Sequence, residues 1–155
     1  MAFLGRLIVI FFALFLATLA GGIAAAIALL GVELHAIGPD PIGHVFFWGT
    51  AALASGVTVM VGFLPILIAV VLAEAYSIRS LLIHAAAGAA ILLLGYYSAG
   101  FTWTYEESID HAPPLISRAT EIAAAVGVMF GFTYWLIAGR NAGRWRNGKA
   151  RAAPD

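Results

Sequence analysis

Four long stretches of apolar residues divide the chain. Asp, Glu, Lys and Arg are absent from Leu7 to Val32, from Val45 to Ala73, from Ser80 to Tyr105 and from Ile122 to Gly139. The segment Leu115–Thr120 extends the outer end of the last. A helix needs about 20 apolar residues, each rising about 1.5 Å, to cross a bilayer. The pattern therefore predicts helices over about 5–32, 43–74, 80–105 and 115–139. A membrane barrel would alternate apolar and polar residues in segments of roughly 10. Here Leu7–Phe12 is continuously apolar, and lipid cannot satisfy open backbone groups, so the runs read as helical. The expected fold is an all-α integral membrane protein, four transmembrane helices in an up-and-down bundle. Residues 1–139 form one transmembrane domain and 140–155 a basic cytoplasmic tail.

The breaks between runs carry turn chemistry. Gly38–Pro39–Asp40–Pro41 separates the first pair of helices and Pro113–Pro114 the last. Proline is well accepted in the first turn of a helix. The middle connection, Glu74–Arg79, has room only for a tight helical hairpin. Pro65, preceded by Gly62, lies inside the second run and is expected to kink it, because proline removes one backbone donor and crowds the preceding turn. Thr18–Leu19–Ala20 resembles a leader cleavage site, but the apolar run continues through Gly21–Gly22 to Val32, so the segment reads as a retained span.

Composition narrows the class further. The chain has 155 residues, 63% hydrophobic and only 10% charged, with no cysteine. Soluble domains carry about 25% charged residues, so a water-soluble globule is excluded, as is disorder. The lack of cysteine removes disulfides, thiolate metal sites and cysteine nucleophiles.

The net charge of zero hides a segregation. With the loops alternating in side, Arg6, Arg79, Arg140, Arg144, Arg146, Lys149 and Arg151 share one face, and only Arg118 lies on the other. The positive-inside rule then puts both termini in the cytoplasm. Glu33, Asp40, Glu106, Glu107, Asp110 and Glu121 make the outer face acidic. Phe46, Phe47, Trp48, Phe101, Trp103 and Tyr105 gather at the outer interface, with Tyr76, Tyr134, Trp135 and Trp145 at the inner one, the places such rings favour. Richness in alanine and short loops suggest a bacterial inner membrane.

Between helices in lipid, small residues that allow close backbone approach replace hydrophobic burial. Ala123, Gly127 and Gly131 repeat at four-residue spacing in the fourth helix and mark a packing face. Ala20, Ala24 and Ala28 form a similar stripe in the first helix, with Gly21 and Ala25 beside it. Ala52 with Gly56, and Ala85 with Ala89, do so in the second and third. Such stripes either hold the bundle together or dock another subunit.

Candidate chemistry is sparse. No acid or base sits in the middle of a span, where coupled transporters keep one. Glu74 reads as an interfacial acid near Arg79. His84 lies about one turn into the third helix, but a bis-histidine haem would need a second imidazole at its depth, so it reads as a histidine bonded between helices. On the outer face His35, His44, Asp110 and His111 offer imidazoles and a carboxylate that suit a divalent metal, without matching a fixed ligand signature. Thr50, Ser55 and Thr58 could line a weakly polar path. The tail residues Arg140, Arg144, Arg146, Lys149 and Arg151 follow a span directly, so anionic lipid is their expected partner and nucleic acid is not. No phosphate loop or nucleophile elbow occurs.

The reading is a non-catalytic accessory or structural subunit of a membrane complex, associating with other membrane subunits or with itself. The alternatives are a small oligomeric channel or transporter subunit, and a metal- or haem-binding membrane protein. No cofactor is required by the first reading.

Overall fold

A computed structural model describes residues 2–31, 41–99 and 117–144. Among them are four α-helices and no strand: α1 Ala2–Leu30, α2 Pro41–Ala75, α3 Leu81–Ser98 and α4 Arg118–Ile137, followed by a single 3₁₀ turn, Gly139–Asn141. All four are long and apolar enough to cross a membrane.

The contacts run in opposite directions along each neighbouring pair. Arg6 meets Glu74 while Gly22 meets Ser55, so α1 and α2 are antiparallel. His84 meets Gly131 while Gly88 meets Gly127, which makes α3 and α4 antiparallel as well. Arg6 reaches Ala138 and Gly21 lies against Val126, giving the same relation between α1 and α4. The helices thus alternate up and down around a ring. Of the neighbouring pairs in that ring, α3 and α4 are the closest and α2 and α3 touch least.

Local chemistry sets the helix ends. Gly31, at φ +60°, ends α1 in the left-handed conformation, with its N–H on the Ile27 carbonyl. Ser77, at φ +55°, does the same after α2, and the Ile78 N–H closes on Ala73. This wraps the chain back within five residues to start α3. The Ser117 hydroxyl accepts the Thr120 N–H at 3.2 Å and caps α4, with Glu121 in the first turn where a negative charge is favoured. That cap places the start of α4 at Arg118 rather than near 115, since Ser117 itself is extended. Among the described residues α3 runs to Ser98, and the rest of the span expected to 105 lies outside them. The Ala99 N–H bonds back to Gly95, and the Ser98 hydroxyl donates to the same carbonyl at 3.0 Å. Pro65 lies within α2, which is a single helix through it.

Packing is inverted relative to a soluble protein. Small residues lie inside: Ala13, Ala17, Ala25 and Ala26 are the buried apolar side chains of α1. Large ones face outward, as with Phe11, Leu53, Met60 and Leu82. One core cluster joins Ala13, Ala17, Ile66, Val70, Phe130, Tyr134 and Ala138, and a smaller one joins Ala26, Phe47 and Ala51. Hydrocarbon is as apolar as leucine, so such a surface suits lipid, and the interior gains from close backbone approach instead.

Gly88, Gly127 and Gly131 show this most sharply. A Cβ on Gly127 would lie 2.4 Å from the Gly88 carbonyl oxygen, and one on Gly131 would lie 2.1 Å from that of His84. No side chain fits there, so α3 and α4 touch through bare backbone. Gly22 plays this part between α1 and α2, where a Cβ would strike Ser55.

Candidate functional site

The end of the bundle where α2 turns into α3 holds most of the described polar chemistry. Arg6 in α1 forms an ion pair with Glu74 at the end of α2, and both side chains are nearly buried. Arg6 Nε donates to Glu74 Oε1 at 3.0 Å, and Nη2 donates to the same oxygen and, at 2.8 Å, to the Ala138 carbonyl. Ala138 follows the last residue of α4, so the guanidinium also satisfies a helix C-terminus. The other carboxylate oxygen, Oε2, accepts the N–H of Gly143 at 3.0 Å. One ion pair thereby clasps α1, α2 and the segment after α4.

The sequence places Glu74 near Arg79 as an interfacial acid; the structure pairs it with Arg6. The antiparallel course of α1 and α2 brings position 6 level with position 74, whereas Arg79 lies in the turn that follows. Arg79 Nε donates instead to the Ala142 carbonyl at 3.0 Å, and the Trp135 indole donates to the Arg79 carbonyl at 2.7 Å. The α2–α3 turn is thus fastened to α4 and its extension.

His84 lies behind this clasp. Its Nδ1 is 2.8 Å from the Ser80 carbonyl. A carbonyl only accepts, so Nδ1 carries the proton, and in the neutral ring Nε2 keeps its lone pair. The ring stacks on Tyr134, with centroids 5.8 Å apart and planes at 26°. His84 Nε2 and the Tyr134 hydroxyl are both buried with no hydrogen-bond partner among the described residues. Gly139 abuts the ring: a Cβ there would approach Nε2 to 2.8 Å.

Beside the stacked pair, where α2 and α3 diverge, a cavity of about 220 Å³ opens on one side. Ile66, Val70 and Ala73 of α2, Ile83, Ala87 and Ile91 of α3, and Phe130 of α4 line it, together with His84 and Tyr134. The unmet polar atoms of those two are covered, so the cavity surface is hydrocarbon.

The remaining candidates are dispersed. His44 is exposed in the first turn of α2, whereas His35, Asp110 and His111 lie outside the described residues. Among the described residues no three of His, Asp and Glu gather as metal ligands. The two described histidines, His44 and His84, stand near opposite ends of the bundle, because residues 66–73 of α2 adjoin His84. The Ser55 hydroxyl donates to the Ala51 carbonyl at 2.8 Å and across to Thr18 at 3.2 Å. Thr58 is buried and donates to Ala54, and Thr50 is half-buried. The Ser55 and Thr58 hydroxyls are thus engaged with backbone carbonyls.

Of the small residues, Gly127 and Gly131 lie against α3, and Ala123 is half-buried. Ala52 and Gly56 are exposed. Of the basic residues, Arg140 is exposed, and Arg144 is exposed with a 2.8 Å bond to Asn141. Trp145, Arg146, Lys149 and Arg151 lie outside the described residues. Gly88, Gly139 and Gly143 carry structural roles that spacing alone did not single out. Gly143, at φ +73°, had the weak signal of glycine soon after a helix end.

Comparison with known protein families, with curated proteins and with solved structures finds no match to this chain.

Proposed function

We propose that the chain is an integral membrane protein of a bacterial inner membrane, with both termini cytoplasmic, acting as a non-catalytic accessory subunit that docks another membrane-spanning helix. The observation that carries this reading is an outward-facing stripe of small residues on α2. Gly49, Ala52 and Gly56 are all exposed, and a Cβ on Gly49 or Gly56 would meet nothing within 4 Å. In α3 and α4 the corresponding small residues are consumed by backbone contact inside the bundle. On α2 the same kind of face is unpartnered, while large apolar side chains flank it, including Leu53 and Met60. A second helix can approach closely there.

The charged groups support a structural rather than a transporting role. Transporters hold ionisable side chains toward a polar cavity. Here Arg6 and Glu74 close on each other and on backbone, and the cavity is walled by hydrocarbon. The exposed Arg140 and Arg144 face the same end, where anionic lipid heads would meet them.

The test is native mass analysis after extraction from the protein's own membrane in mild detergent, repeated with Ala52→Leu and Gly56→Leu. A stoichiometric complex lost in both variants is the expected result. A chain that remains alone, or a complex indifferent to both changes, would overturn the reading.

A further inference from the structure

We infer that the cavity between α2 and α3 is a binding site for one anionic phospholipid, taking an acyl chain between the helices with the phosphate held by Arg79. The inference rests on the membrane-spanning reading above and adds a specific ligand to it. Four observations lead to it.

The cavity is formed by a missing contact, since α2 and α3 are the neighbouring pair that touches least, while both pack closely on other helices. Its walls are side chains such as Val70, Ala73, Ala87 and Ile91, and the only polar ones, His84 and Tyr134, keep their polar atoms covered. A void without partner atoms forfeits dispersion contacts along its whole lining. A hydrocarbon chain restores them and leaves no polar group of its own unmet.

The opening lies on the side of the bundle that would face lipid. Leu72 and Ile83 line the cavity and are each about half exposed, at 46% and 51%. A chain can therefore enter sideways from the bilayer without passing through the clasp.

A cation stands where the head group would be. Ile78 lines the cavity, and the next residue is the exposed Arg79 at the turn between the two helices. Arg79 uses Nε on the Ala142 carbonyl, which fixes the guanidinium at the bundle end. Its two Nη groups then present the paired donors that suit a phosphate.

A second positive charge is close in the chain to the same region. Gly139 abuts His84, a lining residue, and the exposed Arg140 follows it on the 3₁₀ turn. The site therefore joins an apolar slot to a basic rim, the two parts of an anionic phospholipid.

The experiment is native mass spectrometry of the full chain from nanodiscs holding equal phosphatidylglycerol and phosphatidylcholine. Wild type is expected to retain one phosphatidylglycerol per chain, about tenfold over phosphatidylcholine. Arg79→Gln is expected to remove the preference, and Ala87→Leu, which fills the slot, to remove retention of either lipid. Ala90→Leu, on the exposed face of α3, is expected to retain lipid as wild type does. Circular dichroism and melting of each variant report whether the fold persists; should Ala87→Leu unfold, Ala69→Leu fills the slot from α2 in its place.

Equal retention of both lipids by wild type, or unchanged retention in Arg79→Gln and the slot-filling variant, would overturn the inference. A chain found in membranes but carrying no bound lipid would overturn it while leaving the membrane reading intact; a chain found in the soluble fraction would overturn both.

Discussion

Arg6, one turn into α1, and Glu74, one residue short of the end of α2, form an ion pair across 68 positions of chain. Their remaining bonds to Ala138 and Gly143 make the pair a three-way junction. Removing one partner of a buried pair typically costs about 3–5 kcal/mol, because the other charge is left without compensation. Glu74→Ala and Arg6→Ala are therefore each expected to lower stability by about 3 kcal/mol. The double variant should lose less than the sum of the two, with a coupling energy of about 1–3 kcal/mol. Reversible unfolding in mixed micelles measures all four corners of that cycle; strictly additive losses would contradict the junction.

Gly143 supplies the backbone half of that junction. At φ +73° it occupies a conformation that an L side chain adopts only with strain, of roughly 1–2 kcal/mol. Gly143→Ala is thus expected to lose about 1–2 kcal/mol, with less added loss when Glu74 is already alanine. The same unfolding assay reads this, and an unchanged midpoint would show that Gly143 is not held as described.

Much of this architecture was legible beforehand, and the parts that were not share a cause. Four charge-free runs of sufficient length pointed to four apolar helices because a span has to be continuous. The Ala123–Gly127–Gly131 spacing marked one face of α4, and Gly127 and Gly131 lie on backbone of α3. The facing Gly88 was not distinguished, since Ala85, Ala86, Ala87, Ala89 and Ala90 surround it and spacing cannot choose among them. Glu74 read only as an interfacial acid near Arg79, and its partner Arg6 was not foreseen, because only the packed helices show that position 6 is level with position 74. The cavity was invisible because it comes from two helices failing to touch. The residues proposed as outer-face metal ligands, other than His44, lie outside the described residues.

The glycines should divide by surroundings rather than by spacing. A Cβ on Gly127 or Gly131 would overlap the backbone of α3, where nothing flexible can yield. Gly127→Ala and Gly131→Ala are each expected to cost at least about 2 kcal/mol, toward the upper end of ordinary overpacking. Gly49→Ala, in open space on the same fold, is expected to gain up to about 1 kcal/mol from helix propensity. Equal effects of the three changes would contradict the close α3–α4 contact.

Ser55 bridges α1 and α2 through the Thr18 carbonyl. Interhelical hydrogen bonds of this kind average about 0.6 kcal/mol in membrane proteins. Ser55→Ala is therefore expected to cost about that much, and liposomes containing wild-type protein are expected to pass ions no faster than empty ones. Flux that depends on Ser55 would transfer its role from packing to a pathway.

The central claim is that the helices cross a membrane alternately with both chain ends on the cytoplasmic side. The chain contains no cysteine, so single cysteines can be placed without background. His44→Cys sits at the start of α2 and Tyr76→Cys just beyond its end, and both positions are exposed. With a membrane-impermeant maleimide on intact cells, His44→Cys is expected to label, and Tyr76→Cys only after the membrane is opened. Labelling of both in intact cells, or the reverse order, would contradict the account.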